Sequence, residues 1–119
     1  MRVLVVEDDL AVAKVLELAL RRAGHEVVLA RDFLGGLEAL GQDWDAIVLD
    51  LNLPGGSGLD LLRHLRQELG KPTPVLVLSG LKQERTVVEA LRLGAQDYLT
   101  KPFSPQELVL RLERHVAAR

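Results

Sequence analysis

Five polar residues of this chain follow or end short apolar runs, where their side chains could take part in chemistry. Glu7 and Asp8 follow the run VLVV, and Asp50 follows AIVL. Ser79 follows VLVL, and Lys101 comes directly after DYLT. Uninterrupted apolar runs of this length, bounded by turn-forming residues, are typical of strands buried on both faces. The sequence therefore predicts carboxylates, a hydroxyl and an ammonium group at the ends of four strands.

These residue types, if they converge, can carry out phosphoryl transfer. Three carboxylates within a few ångströms repel one another unless protons or a cation intervene. Oxygen ligands select a hard cation, and a partly open site suits Mg²⁺, which keeps waters and accepts phosphate oxygens. Asp50 can act as a nucleophile toward phosphorus and form an acyl phosphate. Lys101 would neutralise the phosphoryl oxygens, and the Ser79 hydroxyl could hydrogen-bond another of them.

Each of these residues also has a simpler interpretation. Asp9, the third acid of the run, and Asp8 could cap a following helix. Lys101 could be a solvated loop charge, and Ser79 could satisfy backbone groups. Asp50 could be a carboxylate that happens to be solvated at a strand end. The chemical interpretation depends on whether the fold brings the four strand ends together.

The elements that would position these residues alternate between strand and helix. Apolar runs predict strands at residues 2–6, 26–30, 46–50, 75–78 and 97–99. Apolar periodicity predicts helices at residues 10–23, 33–40, 59–69, 84–93 and 105 to the chain end. The apolar face predicted for the first helix consists of Val12, Val15, Leu16, Ala19 and Ala23. Ser104 is the predicted N-cap of the last helix, followed by Pro105 at its first position.

Strand–helix alternation repeated five times predicts an α/β fold with a doubly wound, five-stranded parallel sheet and five helices. In the flavodoxin-like strand order 2-1-3-4-5, strands one and three are neighbours where the order reverses. The carboxyl ends of parallel strands meet at one edge, so the five polar residues should converge there. No linker or low-complexity segment interrupts the pattern, and we expect one domain over residues 1–119.

The composition limits the compartment and the partners. A formal net charge of -2 and a pI near 5.9 give no general attraction to nucleic acid or to an anionic membrane. The absence of cysteine fits a reducing compartment. No stretch is long enough to span a bilayer, and the first residues do not follow a signal-peptide pattern. We therefore expect a cytoplasmic domain that binds neither membrane nor nucleic acid directly.

Four motifs, in this order and spacing, resemble the receiver domain of bacterial two-component response regulators. They are VVEDD at 5–9, VLDLNLPGGSG at 48–58, VLVLSG at 75–80 and GAQDYLTKPF at 94–103. The resemblance covers the whole chain. The ending YLTKPFSPQEL is most like the OmpR/PhoB subfamily, whose members carry a winged-helix DNA-binding domain after the receiver; that domain is absent here. The chain departs from the usual pattern at Ser57 and Gln96, where acids are common, and at Gly80, where alanine is common.

The resemblance assigns roles to the candidate residues by position. It implies that Asp50 accepts the phosphoryl group. It also implies that Glu7 and Asp8 hold Mg²⁺, directly or through water, together with Asp50. Asn52 would lend its backbone carbonyl to the metal. Ser79 would be the switch hydroxyl, which completes the catalytic set with Asp50 and Lys101.

Further implications concern the switch and its output. Tyr98 would be the switch aromatic, and the bond between Lys101 and Pro102 would be cis. Activation in the subfamily reorganises the face formed by the fourth helix, fifth strand and fifth helix into a symmetric dimer surface. The charged residues of this chain that match that surface are Asp97, Glu107 and Arg111.

The resemblance also implies partners and a lifetime for the phosphorylated state. A sensor histidine kinase would supply the phosphoryl group, and the receiver would catalyse its own phosphorylation and autodephosphorylation without being an enzyme for another substrate. Asn52 and Leu81 match the positions that flank the path of the hydrolytic water. Because Leu81 is apolar and bulky, we expect it to exclude water and prolong the phosphorylated state.

Four other interpretations remain. A haloacid-dehalogenase-type phosphatase also uses an aspartate nucleophile and Mg²⁺, but needs a second acid where this chain has Asn52. A flavodoxin-like FMN module needs a Ser/Thr/Gly-rich phosphate loop after the first strand, where the acids Glu7 and Asp8 would repel phosphate. A pseudo-receiver would bind partners without phosphorylation. A stand-alone receiver would relay the signal by docking to another protein.

Overall fold

A central parallel sheet of five strands organises the computed structural model, which describes residues 1–80 and 84–118. The strands are β1 (Arg2–Val6), β2 (Glu26–Ala30), β3 (Ala46–Asp50), β4 (Val75–Ser79) and β5 (Asp97–Thr100). Neighbouring strands are parallel, and the order across the sheet is β2-β1-β3-β4-β5. This is the predicted flavodoxin-like order, with β1 and β3 adjacent where the winding reverses.

Among the described residues, four α-helices connect the strands and a fifth follows β5, as predicted. They are α1 (Leu10–Arg22), α2 (Phe33–Ala39), α3 (Gly58–Arg63), α4 (Glu84–Arg92) and α5 (Pro105–Ala117). The longest, α1 and α5, have 13 residues each, whereas a helix needs about 20 to span a bilayer. Within the described residues no helix is both long and apolar enough to cross a membrane.

Two local features differ from the prediction of one regular helix after the third strand. A small antiparallel hairpin precedes α3, with strands Asn52–Leu53 and Gly56–Ser57. The helix itself continues beyond Arg63 as a π-helical segment, His64–Glu68. Arg66 within this segment donates hydrogen bonds to the carbonyls of Lys71 and Gly94, at 2.7 and 2.8 Å. These bonds fix the widened turn against the loops that follow α3 and α4.

The core lies on both faces of the sheet because successive residues of each strand point to opposite sides. In β1, Leu4 and Val6 join a cluster that includes residues of α3 and α4. Val3 and Val5 join a second cluster that includes residues of α1 and α5. All four are at most 1% exposed, as expected for a strand covered by helices on both faces.

The buried face of α1 differs from the predicted one. Ala13, Leu16 and Leu20 are fully buried, whereas Val15 is 47% exposed and Ala23 is also exposed. The segment LAVAKVLELAL is apolar around most of the helix circumference, so periodicity alone cannot select the face that packs on the sheet. Only Leu16 of the predicted face is fully buried.

Side-chain caps begin α1 and α5 where the sequence predicts. Asp9 Oδ1 accepts hydrogen bonds from the N–H groups of Ala11 and Val12, at 2.9 and 3.2 Å. Ser104 Oγ accepts one from the N–H of Glu107 at 3.2 Å. The third acid of the run EDD is therefore a helix cap, which leaves Glu7 and Asp8 for the site.

Candidate functional site

Asp50 is the last residue of β3 and lies at the centre of the candidate site. It pairs with Leu78 of β4 in the sheet, and only 3% of its surface is exposed. The N–H of Asn52 donates a hydrogen bond to its Oδ1 at 3.1 Å. This bond orients one carboxylate oxygen and leaves the other facing the end of β5.

Lys101, directly after β5, joins two further strand ends to Asp50. Its Nζ lies 3.2 Å from Asp50 Oδ2 and 2.5 Å from Glu7 Oε1. Its backbone N–H donates to the carbonyl of Ser79 at 2.9 Å. The peptide bond between Lys101 and Pro102 is cis, as the resemblance implied. The predicted convergence of Glu7, Asp50 and Lys101 is thus present.

Glu7 is buried with too little positive charge around it. It is 1% exposed, and among the described residues its Oε1 has no hydrogen bond of good geometry, although the ammonium of Lys101 is close. Burial, assisted by Asp50, raises the pKa of Glu7 to about 7 against the opposing effect of Lys101. Burial also disfavours the charged lysine, but Glu7 and Asp50 outweigh it and raise the pKa of Lys101. The site therefore favours additional positive charge.

Three carboxylates form a group that could hold a metal ion. Glu7, Asp8 and Asp50 each offer one oxygen, and these oxygens lie within 4.8 Å of one another. Asp8 also lines a cavity of about 380 Å³ together with Asn52 and the rest of the hairpin. Acidic oxygens, a neighbouring backbone carbonyl and room for water are the ligands that suit Mg²⁺. The residues present fit the predicted metal.

Gly58, for which the sequence predicted no individual role, permits the close approach of the hairpin to Asp50. A Cβ at this position would lie 2.3 Å from the carbonyl oxygen of Asp50 and 2.8 Å from the Cα of Leu51. The N–H of Gly58 donates to the carbonyl of Leu51 at 2.9 Å. No larger side chain fits here unless the end of β3 moves.

The predicted switch residues occupy the strands next to Asp50. Ser79 ends β4, is buried, and pairs with Thr100 of β5. Tyr98 is half-buried on β5 and packs against the core cluster on the α3 side of the sheet. Their roles as switch residues stay predictions.

The three residues predicted for an interface form a connected group on β5 and α5. Arg111 Nη1 lies 3.0 Å from Asp97 Oδ1, and its Nη2 lies 3.6 Å from Glu107 Oε2. His115, which was not predicted to join this group, also contacts it: its Nε2 lies 2.9 Å from Asp97 Oδ2. Burial opposes ionisation of Asp97, but His115, the N–H of Tyr98 and Arg111 outweigh it and lower its pKa. The spacing of His115 four residues after Arg111 was the available signal.

Of the two residues predicted to set the lifetime of the phosphorylated state, Asn52 and Leu81, only Asn52 lies within the described residues. Asn52 is exposed at the start of the hairpin, beside Asp50. Leu81 lies outside the described residues. The effect of both on hydrolysis stays a prediction.

Comparison with known proteins identifies similar sequences and structures. A model of the response regulator receiver domain matches residues 3–113. The chain is 40% identical over 114 residues to the phosphate regulon transcriptional regulatory protein PhoB of Escherichia coli (strain K12), covering 94% of this chain and 50% of that protein. It therefore spans about half the length of the curated relatives it matches. The similarity to PhoB agrees with the subfamily predicted from the ending of the chain.

Two solved structures extend the comparison. The Francisella response regulator 1452 receiver domain has 36% sequence identity and a TM-score of 0.87, covering 98% of this chain and 97% of that one. A response regulator from Burkholderia pseudomallei, solved with a phosphorylated aspartic acid, a calcium ion and citrate, has 31% identity and a TM-score of 0.86. That match covers 98% of this chain and 69% of the other.

Proposed function

The chain belongs to the response regulator receiver domains, and on this basis we propose that it receives a phosphoryl group on Asp50 in a two-component signalling system. The observation that supports the proposal most is the placement of the Asp50 carboxylate. It is buried at a strand end, 3.2 Å from the Lys101 ammonium and beside two further acids. The Burkholderia pseudomallei relative contains a phosphorylated aspartic acid, which agrees with this chemistry.

The transfer itself is a displacement at phosphorus. A carboxylate oxygen of Asp50 attacks the phosphorus of the donor and forms an acyl phosphate, while the bond from phosphorus to the donor breaks and the donor keeps the electron pair. The Lys101 ammonium, which contacts Asp50 and Glu7 before transfer, turns to a phosphoryl oxygen. The Ser79 hydroxyl donates a hydrogen bond to another phosphoryl oxygen.

Mg²⁺ would be held by the carboxylates of Glu7, Asp8 and Asp50 and by the backbone carbonyl of Asn52. When bound, it supplies positive charge to the phosphoryl oxygens in transfer. Glu7 and Asp50 are both almost fully buried and share the single ammonium of Lys101, which supports a further cation beside them. Asp8 is the more exposed of the two acids after β1 and lines the cavity beside the hairpin, so it would offer its oxygen on that side.

The donor would be the phosphohistidine of a sensor histidine kinase in the cytoplasm. The output would be a change of the surface formed by α4, β5 and α5, which promotes a symmetric homodimer. Exposed pairs such as Arg111–Glu107 contribute only about 0–1 kcal/mol each, so the dimer would be weak.

The curated relatives are named as regulators and are about twice as long as this chain, which supports transcriptional control through a DNA-binding domain outside it. Relay by docking, without DNA, is the alternative.

Intact-mass spectrometry tests the proposal. The protein is incubated with acetyl phosphate, with Mg²⁺ or with EDTA, and we expect one phosphoryl adduct in Mg²⁺ alone. Asp50→Asn should take up none, because the nucleophile is lost. Asp43→Asn is the matched control, since the Asp43 side chain is 99% exposed, and should be phosphorylated like the wild type. An adduct of equal yield on Asp50→Asn, or none on the wild type, would contradict the proposal and favour a pseudo-receiver.

A further inference from the structure

The ring of Phe33, which phosphoryl transfer does not use, packs against the hairpin beside the acidic cluster. Phe33 is the first residue of α2. A Cβ added at Gly56, in the second strand of the hairpin, would lie 2.6 Å from Phe33 Cδ2 and 2.7 Å from Cγ. Even a methyl group at position 56 would therefore displace the ring or the hairpin.

A backbone hydrogen bond connects the same two elements. The N–H of Phe33 donates to the carbonyl of Pro54 at the tip of the hairpin, at 3.1 Å. The first N–H groups of a helix have no partner within the helix, so this one is available to hold the hairpin. Asp32 Oδ1 accepts from the N–H of Gly35 at 2.7 Å and fixes the start of α2.

Helix α2 is itself held firmly and can support the hairpin. A Cβ at Gly36 would lie 2.9 Å from Leu61 Cδ1 and 3.1 Å from Val6 Cγ1. The helix therefore approaches both α3 and the end of β1 closely. Since Glu7 follows Val6 directly, the support of Phe33 is fixed relative to the acidic cluster.

The hairpin connects the Phe33 contact to the proposed metal-binding residues. In the hairpin, Asn52 pairs with Ser57, and Leu53 pairs with Gly56. The strand that contacts the Phe33 ring, Gly56–Ser57, is therefore hydrogen-bonded to the strand Asn52–Leu53. The N–H of Asn52 in turn donates to Asp50 Oδ1 at 3.1 Å. A shift of the hairpin would move the Asn52 carbonyl and would also release one oxygen of Asp50.

We propose that Phe33 is a positioning residue for Mg²⁺ binding. Its ring, seated against Gly56, holds the hairpin so that Asn52 and Asp50 keep the geometry that the cation requires. This inference rests on the proposed function, which places Mg²⁺ at these residues. Residues that orient metal ligands change metal affinity by about tenfold or more when they are replaced.

Isothermal titration of the purified chain with Mg²⁺ tests the role of Phe33. Phe33→Ala removes the support and Gly56→Ala displaces it, so each should raise the Kd for Mg²⁺ by about tenfold. In the double variant the added methyl group has no ring to collide with, so the Kd should be no higher than that of Phe33→Ala alone. Phe33→Leu, which keeps an apolar side chain, should give a Kd between those of the wild type and Phe33→Ala. It replaces Phe33→Ala in the titration if that variant does not fold.

Thermal melting in EDTA separates positioning from packing. Leu37→Ala is the matched control, because Leu37 packs against the same core cluster from the next turn of α2; it should lower the Tm and leave the Kd unchanged. A wild-type Kd in Phe33→Ala and Phe33→Leu, or a Kd in the double variant that adds the full effect of Gly56→Ala to that of Phe33→Ala, would overturn the inference. Failure of the wild-type chain to bind Mg²⁺ would overturn this inference together with the proposed metal site.

Discussion

The buried Glu7 should make the metal-free protein less stable as the pH rises. Its pKa is 4.5 in the unfolded chain and about 7 in the folded protein. Between these values the unfolded state loses the Glu7 proton while the folded state keeps it, so the free energy of unfolding falls with increasing pH and levels off above about 7. One pKa unit corresponds to about 1.4 kcal/mol, and the shift therefore amounts to about 3 kcal/mol.

Urea denaturation in EDTA, at a series of pH values across this window, measures the effect. Glu7→Gln has no carboxylate to ionise, and every other titrating group is common to both proteins. The difference in the free energy of unfolding between the variant and the wild type should grow by about 3 kcal/mol from the lower to the upper end of the window. The lowered pKa of Asp97 acts below its ordinary value of 3.8, outside this range. If the free energies of unfolding of the two proteins changed in parallel with pH, the raised pKa of Glu7 would be refuted.

Three further perturbations address the hairpin, the output face and the lifetime. Gly58→Ala should lower the free energy of unfolding by about 1–3 kcal/mol through overpacking, and should slow phosphorylation of Asp50; wild-type values by denaturation and intact mass would contradict the role of Gly58. Phosphorylation should promote weak dimers in sedimentation, and Arg111→Ala should weaken them; a phosphorylated monomer at every accessible concentration would show that this face docks something else. Leu81→Glu should speed loss of the phosphoryl group about tenfold, because a polar contact can orient water; equal or slower loss, followed by intact mass, would exclude the proposed effect of Leu81.

The convergence of the site could be predicted because topology alone produces it. In a parallel sheet every strand delivers its last residues to the same edge, so Glu7, Asp50, Ser79 and Lys101 need only be placed at strand ends. Short uninterrupted apolar runs mark those ends clearly, and the observed strands begin and end within a residue of the predicted bounds. The cap at Asp9 was predictable because it depends on neighbouring residues only.

Features that depend on close packing between distant segments were not predictable. The contact between Phe33 and Gly56 joins α2 to a hairpin whose strands have two residues each, too few to show a period. The prediction that Val15 lies on the buried face of α1 was wrong, because more than one face of that helix is apolar. The contacts of Lys101 with Glu7 and Asp50, and of His115 with Asp97, depend on side-chain geometry. The spacing of residues along the sequence does not determine that geometry.

Chemical trapping of the phosphorylated residue tests the central claim most directly. Borohydride reduces an acyl phosphate to an alcohol, which converts a phosphorylated aspartate to homoserine. After incubation with Mg²⁺ and acetyl phosphate, reduction and peptide sequencing by mass spectrometry, we predict homoserine at position 50 and unmodified aspartate at positions 8 and 9. Homoserine at another acid, or none in a protein that carries a phosphoryl adduct, would contradict the assignment of Asp50.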